Sequence, residues 1–248
     1  MMPEAETASR TAKAPGRLGK AIIRLLMRRA RIAAIDDIAD RFRLVTLEGD
    51  ALQGVAWLPG QKVQVAMGSA FVARTYTPIE WNAEAGRTCI LGYAHGEGPG
   101  SAWLRDLRLG DECDLFGPRN SLDMRPLHGP LVLFGDETSI GLGYALARQD
   151  RMRSVSCHFE VGDKADAEQV ASALDLGTVA LFARQGDDAH LAQMEATLPS
   201  LVQAEASFIL TGNAGTVQRL RHDLKRHGVA SNRIVTKAYW APGKTGLD

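Results

Sequence analysis

The sequence is short of cysteine, of net charge and of long apolar runs, and each shortage closes off a class of protein. Three cysteines in 248 residues, Cys89, Cys113 and Cys157, are odd in number, widely spaced and part of no Cys-x-x-Cys or Cys/His cluster. That argues against a disulfide frame and a zinc site, supplies no metal-ligand set, and fits a reducing cytoplasm. Lys plus Arg and Asp plus Glu both number 29, so the formal net charge is zero. Such a balance argues against nucleic acid or an anionic membrane as the main partner, although single faces can still be strongly charged. No apolar run reaches the ~18 residues that a bilayer span requires, and the N-terminus lacks a secretory h-region with a cleavage site. The expected location is the cytoplasm.

What remains is ample for a core: 45% of the residues are apolar, enough for one large or two ordinary domains. Residues 1–16, rich in Ala, Glu, Thr and Lys and closed by Pro15-Gly16, read as a disordered lead-in. Residues 17–30 read as a basic amphipathic helix: Leu18, Ile22, Leu25, Leu26 and Met27 form an apolar stripe against Lys20, Arg24, Arg28 and Arg29. Such a helix either docks its apolar face or touches an acidic partner, for which an electron-carrier protein is one candidate.

From 31 to 127 the pattern changes to about six short strands divided by turn residues, the signature of a small antiparallel barrel. Phe42–Leu47 and Lys62–Ala66 alternate, Thr88–Ala94 and Asp111–Phe116 follow turns, and Phe71–Trp81 begins as a strand and meets Pro78. In that last stretch a side-chain period of two puts Arg74 and Tyr76 on one face and Thr75 and Thr77 on the other. A guanidinium beside an aromatic ring suits a ligand with both a phosphate and a flat ring system; a solvated Arg beside a core Tyr is the plainer alternative. The loop His95-Gly96-Glu97-Gly98-Pro99-Gly100-Ser101, opening into a helix through Trp103 with Ser101 as a candidate N-cap, offers backbone N–H groups to an anion such as a pyrophosphate.

Residues 128–248 alternate strand and helix patterns, which implies a mostly parallel sheet with right-handed crossovers. Leu131–Asp136 is a continuous apolar run, expected of a strand buried on both faces. Further strands are expected at 154–161, 178–183, 207–211 and 233–238, with helices at 140–148, 165–174, 188–198 and 214–227. The ligand crevice of such a sheet lies beyond the C-terminal strand ends, where Asp136-Glu137-Thr138, Gly162-Asp163, Arg184 and Gly212-Asn213 fall. No Gly-x-Gly-x-x-Gly stands at the first strand-to-helix turn, so spacing alone makes no dinucleotide claim.

Five pieces, in order, carry a family resemblance: Arg74-Thr75-Tyr76-Thr77; His95-Gly96-x-Gly98-Pro99-x-Ser101-x-Trp103; Gly117-Pro118-Arg119-x-Ser121; Gly135-Asp136-Glu137-Thr138; and Tyr239-Trp240-x-x-Gly243-Lys244-x-Gly246. The chain resembles the ferredoxin-reductase superfamily and, within it, the siderophore-interacting proteins, FAD-dependent ferric-siderophore reductases. It departs from the usual family pattern at Gly100, at Ser139-Ile140-Gly141, at Gly212-Asn213 and at Ala241-Pro242, the last removing two cations. The resemblance implies FAD across the barrel, with Arg74 and the Gly98-to-Ser101 loop on its phosphates and Tyr76 with Thr77 against the isoalloxazine. It implies electrons from NADH or NADPH docked near Asp136 and Thr138, or from a ferredoxin-like carrier, passing to the Fe(III) of a ferric siderophore. Lys244 and Arg119 are candidates for steering an anionic chelate, and Trp240 either covers a flavin face or anchors the core. A general flavin or ferredoxin reductase, and a non-catalytic siderophore-binding module, remain the alternatives.

Overall fold

The structure, a computed structural model, describes residues 27–67 and 69–244. The lead-in, residues 17–26 of the expected helix, and Gly246 lie outside them.

Seven antiparallel strands form the first sheet: β1 Arg28–Ala39, β2 Phe42–Glu48, β3 Lys62–Met67, β4 Ser69–Tyr76, β5 Pro78–Asn82, β6 Arg87–Tyr93 and β7 Glu112–Arg119, in the order β4-β3-β7-β1-β2-β6-β5. The two strands at the ends of that order, β4 and β5, are joined through Thr77 alone, so the sheet must curl round on itself. The strand count exceeds the expected six partly because Pro78 divides one stretch into two: without an N–H it cannot continue a ladder but is tolerated as a first strand residue.

The expected helix at 17–30 is corrected where it can be seen. Arg28–Ala30 open β1 and pair with β7, Arg28 opposite Leu115 and Ala30 opposite Cys113. Burial alternates there, Ala30 and Ile32 being buried while Arg29 faces Glu112 and Asp114 and Arg31 faces Glu48. Arg29, which looks like part of the polar face of a helix, lies with Arg31 on the outer face of a strand. Across the barrel wall runs helix α1, Pro99–Asp106, whose N-cap is Gly98 rather than Ser101, with Pro99 in the first turn. Ser101 instead donates its hydroxyl to the His95 carbonyl at 2.6 Å and closes the loop on itself.

The second sheet is five-stranded and parallel, β10-β9-β8-β11-β12, from β8 Leu131–Asp136, β9 Val155–Val161, β10 Thr178–Ala183, β11 Ser207–Asn213 and β12 Ile234–Trp240. Helices α2 Ile140–Gln149, α3 Lys164–Ala173, α4 Ala189–Ala196, α5 Leu198–Gln203 and α6 Ala214–Arg226 lie between. The expected helix at 188–198 ends early because Pro199 starts a new one, α5. All six residues of β8 are buried, as a central strand covered on both faces demands. One apolar cluster on a face of this sheet continues into the barrel through Phe42, Ile79 and Leu91, with Gly141 of α2 so near that an added Cβ would sit 2.8 Å from Ile79 Cγ2. The strand order reverses between β8 and β11, which puts the crevice at their C-terminal ends, against the barrel.

Candidate functional site

A cavity of about 380 Å³ lies where the barrel meets that crevice. It is lined by Lys62 of β3, by Ala73 to Thr77, by His95, Gly98, Gly100 and Ser101 of the loop and α1, by Thr138, and by Lys237 to Trp240 with Lys244. Four basic side chains, Lys62, Arg74, Lys237 and Lys244, and no carboxylate, are among its lining residues. That is an anion site by composition.

Arg74 reaches it from β4, its Nη1 donating to the Ala73 carbonyl at 2.9 Å. Tyr76, two residues on and on the same face, packs 5.7 Å from Trp103. Burial pushes its phenol well above the usual range, and the Arg74 charge offsets only part of this. Trp103 is therefore backing for Tyr76 within the barrel core and is not part of the lining. Thr75 is exposed and Thr77 is held by Tyr239, so all four residues of the stretch border the cavity although they alternate in direction. The α1 N-terminus adds amides with no acceptor inside the helix, and Gly98 has no side chain to cap them. Gly98 lines the cavity and a Cβ on it would meet nothing within 4 Å, whereas one on Gly100 would come 3.2 Å from Arg74 Cγ. Guanidinium, unspent amides and glycine access converge as a diphosphate requires, and Tyr76, Tyr239 and Trp240 offer ring surfaces. The residues fit FAD.

The wall opposite comes from β12. Its register against β11 shifts between Gly212 and Asn213, which pair with Ala238 and Trp240, so Tyr239 is an extra residue. Consecutive strand residues ordinarily point to opposite faces; the bulge lets both Tyr239 and Trp240 face the cavity. The Tyr239 hydroxyl bonds to Thr77 and Thr211, and burial pushes its phenol up to about 12. The Trp240 indole donates to Asp136 Oδ2 at 2.7 Å.

Asp136 does not open onto the cavity. It is fully buried, and its Oδ1 accepts from Thr138 N at 2.9 Å and from the Thr138 hydroxyl. Asp136 is thus turned inward to its own turn and to Trp240, whereas Thr138 does reach the lining. Arg119 is also held elsewhere: Nη2 donates to Gln64 at 2.7 Å and the guanidinium lies over the Phe116 ring, 4.4 Å from its centroid. It is not a lining residue, and Lys62 and Lys237, which the sequence reading missed, are. Lys237 was detectable only by counting two residues back from Tyr239 along a strand.

A second polar cluster fills the crevice beside the cavity. Glu137 takes Arg184 and the Gly162 amide on one side and the Tyr93 hydroxyl from the barrel on the other. Glu160, 3% exposed, accepts from Thr216 and meets His190 Nε2 at 3.1 Å. Gln185 N donates to His190 Nδ1, so that nitrogen is the acceptor and Nε2 carries the proton toward Glu160. The strand-end positions of Glu137, Gly162 and Arg184 were legible in the sequence; for Glu160 the signal was a carboxylate within the buried half of a strand, and His190 and Thr216 had none. Among the described residues no group of three or more His, Cys, Asp or Glu side chains is placed to hold a metal, and no helix is long and apolar enough to cross a membrane.

The comparisons agree with this geometry. The family model described as siderophore-interacting FAD-binding domain matches residues 59–122, and that described as siderophore-interacting protein matches 129–243. No curated protein matches. Among solved structures, a siderophore utilization protein from T. fusca is 24% identical with a TM-score of 0.70, over 90% of this chain and 95% of the other. The siderophore-interacting protein SipS from Aeromonas hydrophila is 21% identical with a TM-score of 0.73, over 88% and 93%. Phthalate dioxygenase reductase, described as passing electrons from pyridine nucleotides to [2Fe-2S], is 18% identical with a TM-score of 0.73, over 88% and 70%. At these identities the structures speak to the fold alone, an antiparallel barrel joined to a parallel α/β sheet, and the matched models speak to the family. An FAD-binding barrel joined to a parallel α/β sheet, matched along most of its length by both of the family's models, places this chain in the siderophore-interacting protein family.

Proposed function

We propose that the protein is a flavin-dependent reductase that passes electrons from NAD(P)H or a reduced ferredoxin-like carrier, through FAD, to the Fe(III) of an anionic ferric siderophore, releasing Fe(II). The observation that carries this reading is the cavity at the domain junction, lined by four basic side chains and three tyrosine or tryptophan rings contributed by β4 and β12, with no carboxylate. When bound, FAD takes up two electrons and gives them on one at a time, the chemistry that joins a two-electron donor to a ferric ion. The protein supplies place and charge. Arg74 and the amides at the start of α1 hold the diphosphate; Tyr76 and Thr77 position the ring system; Tyr239 and Trp240 shield it from water. Lys237 and Lys244, the cations on the β12 side, draw an anionic chelate to the ring edge, and Lys62 adds to the same field. Hard oxygen donors hold Fe(II) far less firmly than Fe(III), so reduction itself frees the iron and no acid-base residue is required.

The test is reduction of ferric chelates of different net charge, with Fe(II) trapped by a ferrous chelator. With FAD saturating, replacing Lys237 and Lys244 by Gln should raise KM for an anionic chelate about tenfold or more, steeply with falling ionic strength, and change KM for a neutral chelate far less. A KM indifferent to chelate charge in both proteins would contradict the assignment of substrate.

A further inference from the structure

Asp136 is the one completely buried carboxylate at the junction of β8 and β11, and none of its atoms lines the cavity. Its two oxygens divide their work. Oδ1 serves its own turn, accepting from the amide and hydroxyl of Thr138; Oδ2 serves the chain terminus, accepting from the Trp240 indole at 2.7 Å across 104 residues of sequence. Gly212 of β11 makes room for it: a Cβ there would lie 2.4 Å from Oδ2, on a backbone with φ of +93°. Trp240 ends the last strand, just past the bulge that turns Tyr239 to the cavity, and the exposed turn from Ala241 to Lys244 follows it.

We propose that Asp136 is a positioning residue for the flavin site: through Oδ2 it latches the Trp240 indole and so keeps the Tyr239-Trp240 wall seated against the cofactor, which it never touches. This rests on the flavin reading above. The chemistry of the latch is specific. Both donors of Thr138 claim Oδ1, so an amide at this position keeps its oxygen there and turns its NH₂ toward the indole N–H, donor against donor. Asp136→Asn therefore removes the latch and spares the turn. It also removes a buried charge that burial makes costly, pushing the carboxyl up to about 6 even though Thr138 and Trp240 pull it down. The charges that face it are Glu137 of its own turn and Arg184 at the end of β10, with the Tyr239 phenol on β12.

The experiment measures FAD affinity by flavin fluorescence, together with thermal unfolding, for the wild type, Asp136→Asn, Trp240→Phe and the double variant at pH 8. The expected result is a loss of affinity of about tenfold in Asp136→Asn, the worth of a charge-assisted hydrogen bond, with no fall in melting temperature. In the Trp240→Phe background the same substitution should change affinity by less than about twofold, because its partner is already gone. Unchanged affinity in Asp136→Asn, or the same loss with and without the indole, would overturn the proposal. Should Asp136→Asn fail to fold, pH decides. Protonation leaves a weaker acceptor, so wild-type affinity should fall as pH drops through about 6, and Trp240→Phe should have lost that fall. The cavity also holds the imidazole of His95, so only the part of the slope that Trp240→Phe removes belongs to Asp136. A flat wild-type profile, or a slope kept in Trp240→Phe, would overturn it equally. A wild type that takes up no FAD at all would remove the reading beneath.

Discussion

Glu137 and Arg184 meet fork to fork at the ends of β8 and β10, Nη1 donating to Oε1 at 2.8 Å and Nη2 to Oε2 at 2.6 Å, with the glutamate side chain 3% exposed. Burial would lower the guanidinium pKa, but the pairing with Glu137 and the nearby Glu160 outweighs it and the net shift is upward. The same glutamate receives the Gly162 amide and the Tyr93 hydroxyl, so one carboxylate ties three parallel strands to the barrel.

Removing one partner should therefore cost far more than removing an exposed ion pair. Arg184→Met leaves a buried carboxylate without its cation and should destabilise the protein by about 3–5 kcal/mol in denaturant unfolding. Glu137→Gln added to it should return part of that loss, since the stranded charge goes too. A loss below about 1 kcal/mol in the single variant would mean that water replaces the guanidinium.

Arg74 carries the diphosphate in this account. Arg74→Ala should weaken FAD binding by roughly ten- to a hundredfold, the worth of one or two charge-assisted hydrogen bonds, while leaving the unfolding midpoint of the FAD-free protein in place. Arg74→Lys should recover only part, because an ammonium keeps the charge and loses the fork. Equilibrium titration with FAD decides; undiminished affinity in Arg74→Ala would remove the guanidinium from the site.

Two glycines of the barrel should respond in opposite ways. A side chain at Gly98 meets open space, so Gly98→Val should leave stability within about 0.5 kcal/mol and weaken FAD by roughly tenfold by blocking the amides. At Gly92 an added Cβ would lie 2.3 Å from Leu104 Cδ2, so Gly92→Ala should cost about 1–3 kcal/mol of stability through overpacking. Thermal melts and FAD titrations of both variants separate site from scaffold.

The sequence was most legible where local pattern and tertiary fate coincide. Leu131–Asp136 has no polar face and became a strand with no exposed one; Arg74 to Thr77 border one cavity with Gly98, Gly100 and Ser101, while Pro99 does not line it. It was least legible where a neighbour decides. Arg28 and Arg29 fit a helix by spacing, and only their neighbours make them strand residues, Arg29 facing the acidic side chains of β7 and Arg28 donating to the Gly117 and Ala51 carbonyls. Ser101 is a good N-cap by type, yet with Pro99 as the first helical residue the cap falls on Gly98, three residues earlier. Asp136 read as a ligand because it sits at a strand end; whether such a carboxylate faces a ligand or an indole depends on a residue far along the chain. The bulge at Tyr239 has no local signature at all.

His158 gives the stability a pH dependence of known sign. It is 8% exposed, its ring stands 4.7 Å from Phe134 and 6.2 Å from Phe182, and its Nδ1 is buried without a hydrogen-bond partner among the described residues. Burial pushes its pKa down to about 4 from 6.5. The unfolded chain takes the proton first, so this contribution is whole above about pH 6.5 and drains away as pH falls toward 4, by about 3 kcal/mol in all. His158→Phe should flatten the change in urea midpoint between pH 7.5 and 4.5. An undiminished slope would place the titrating group elsewhere.

On the proposed function, the cavity between β4, α1 and β12 holds a flavin that reduces ferric chelates. The decisive experiment is anaerobic absorbance: FAD is added to the purified protein, then NADH, NADPH or a reduced carrier protein, then a ferric siderophore. Oxidised-flavin bands should appear, bleach with at least one donor and return as Fe(II) forms. A protein that takes up no FAD, or whose donor-bleached bands stay bleached in the presence of the ferric siderophore, would contradict it.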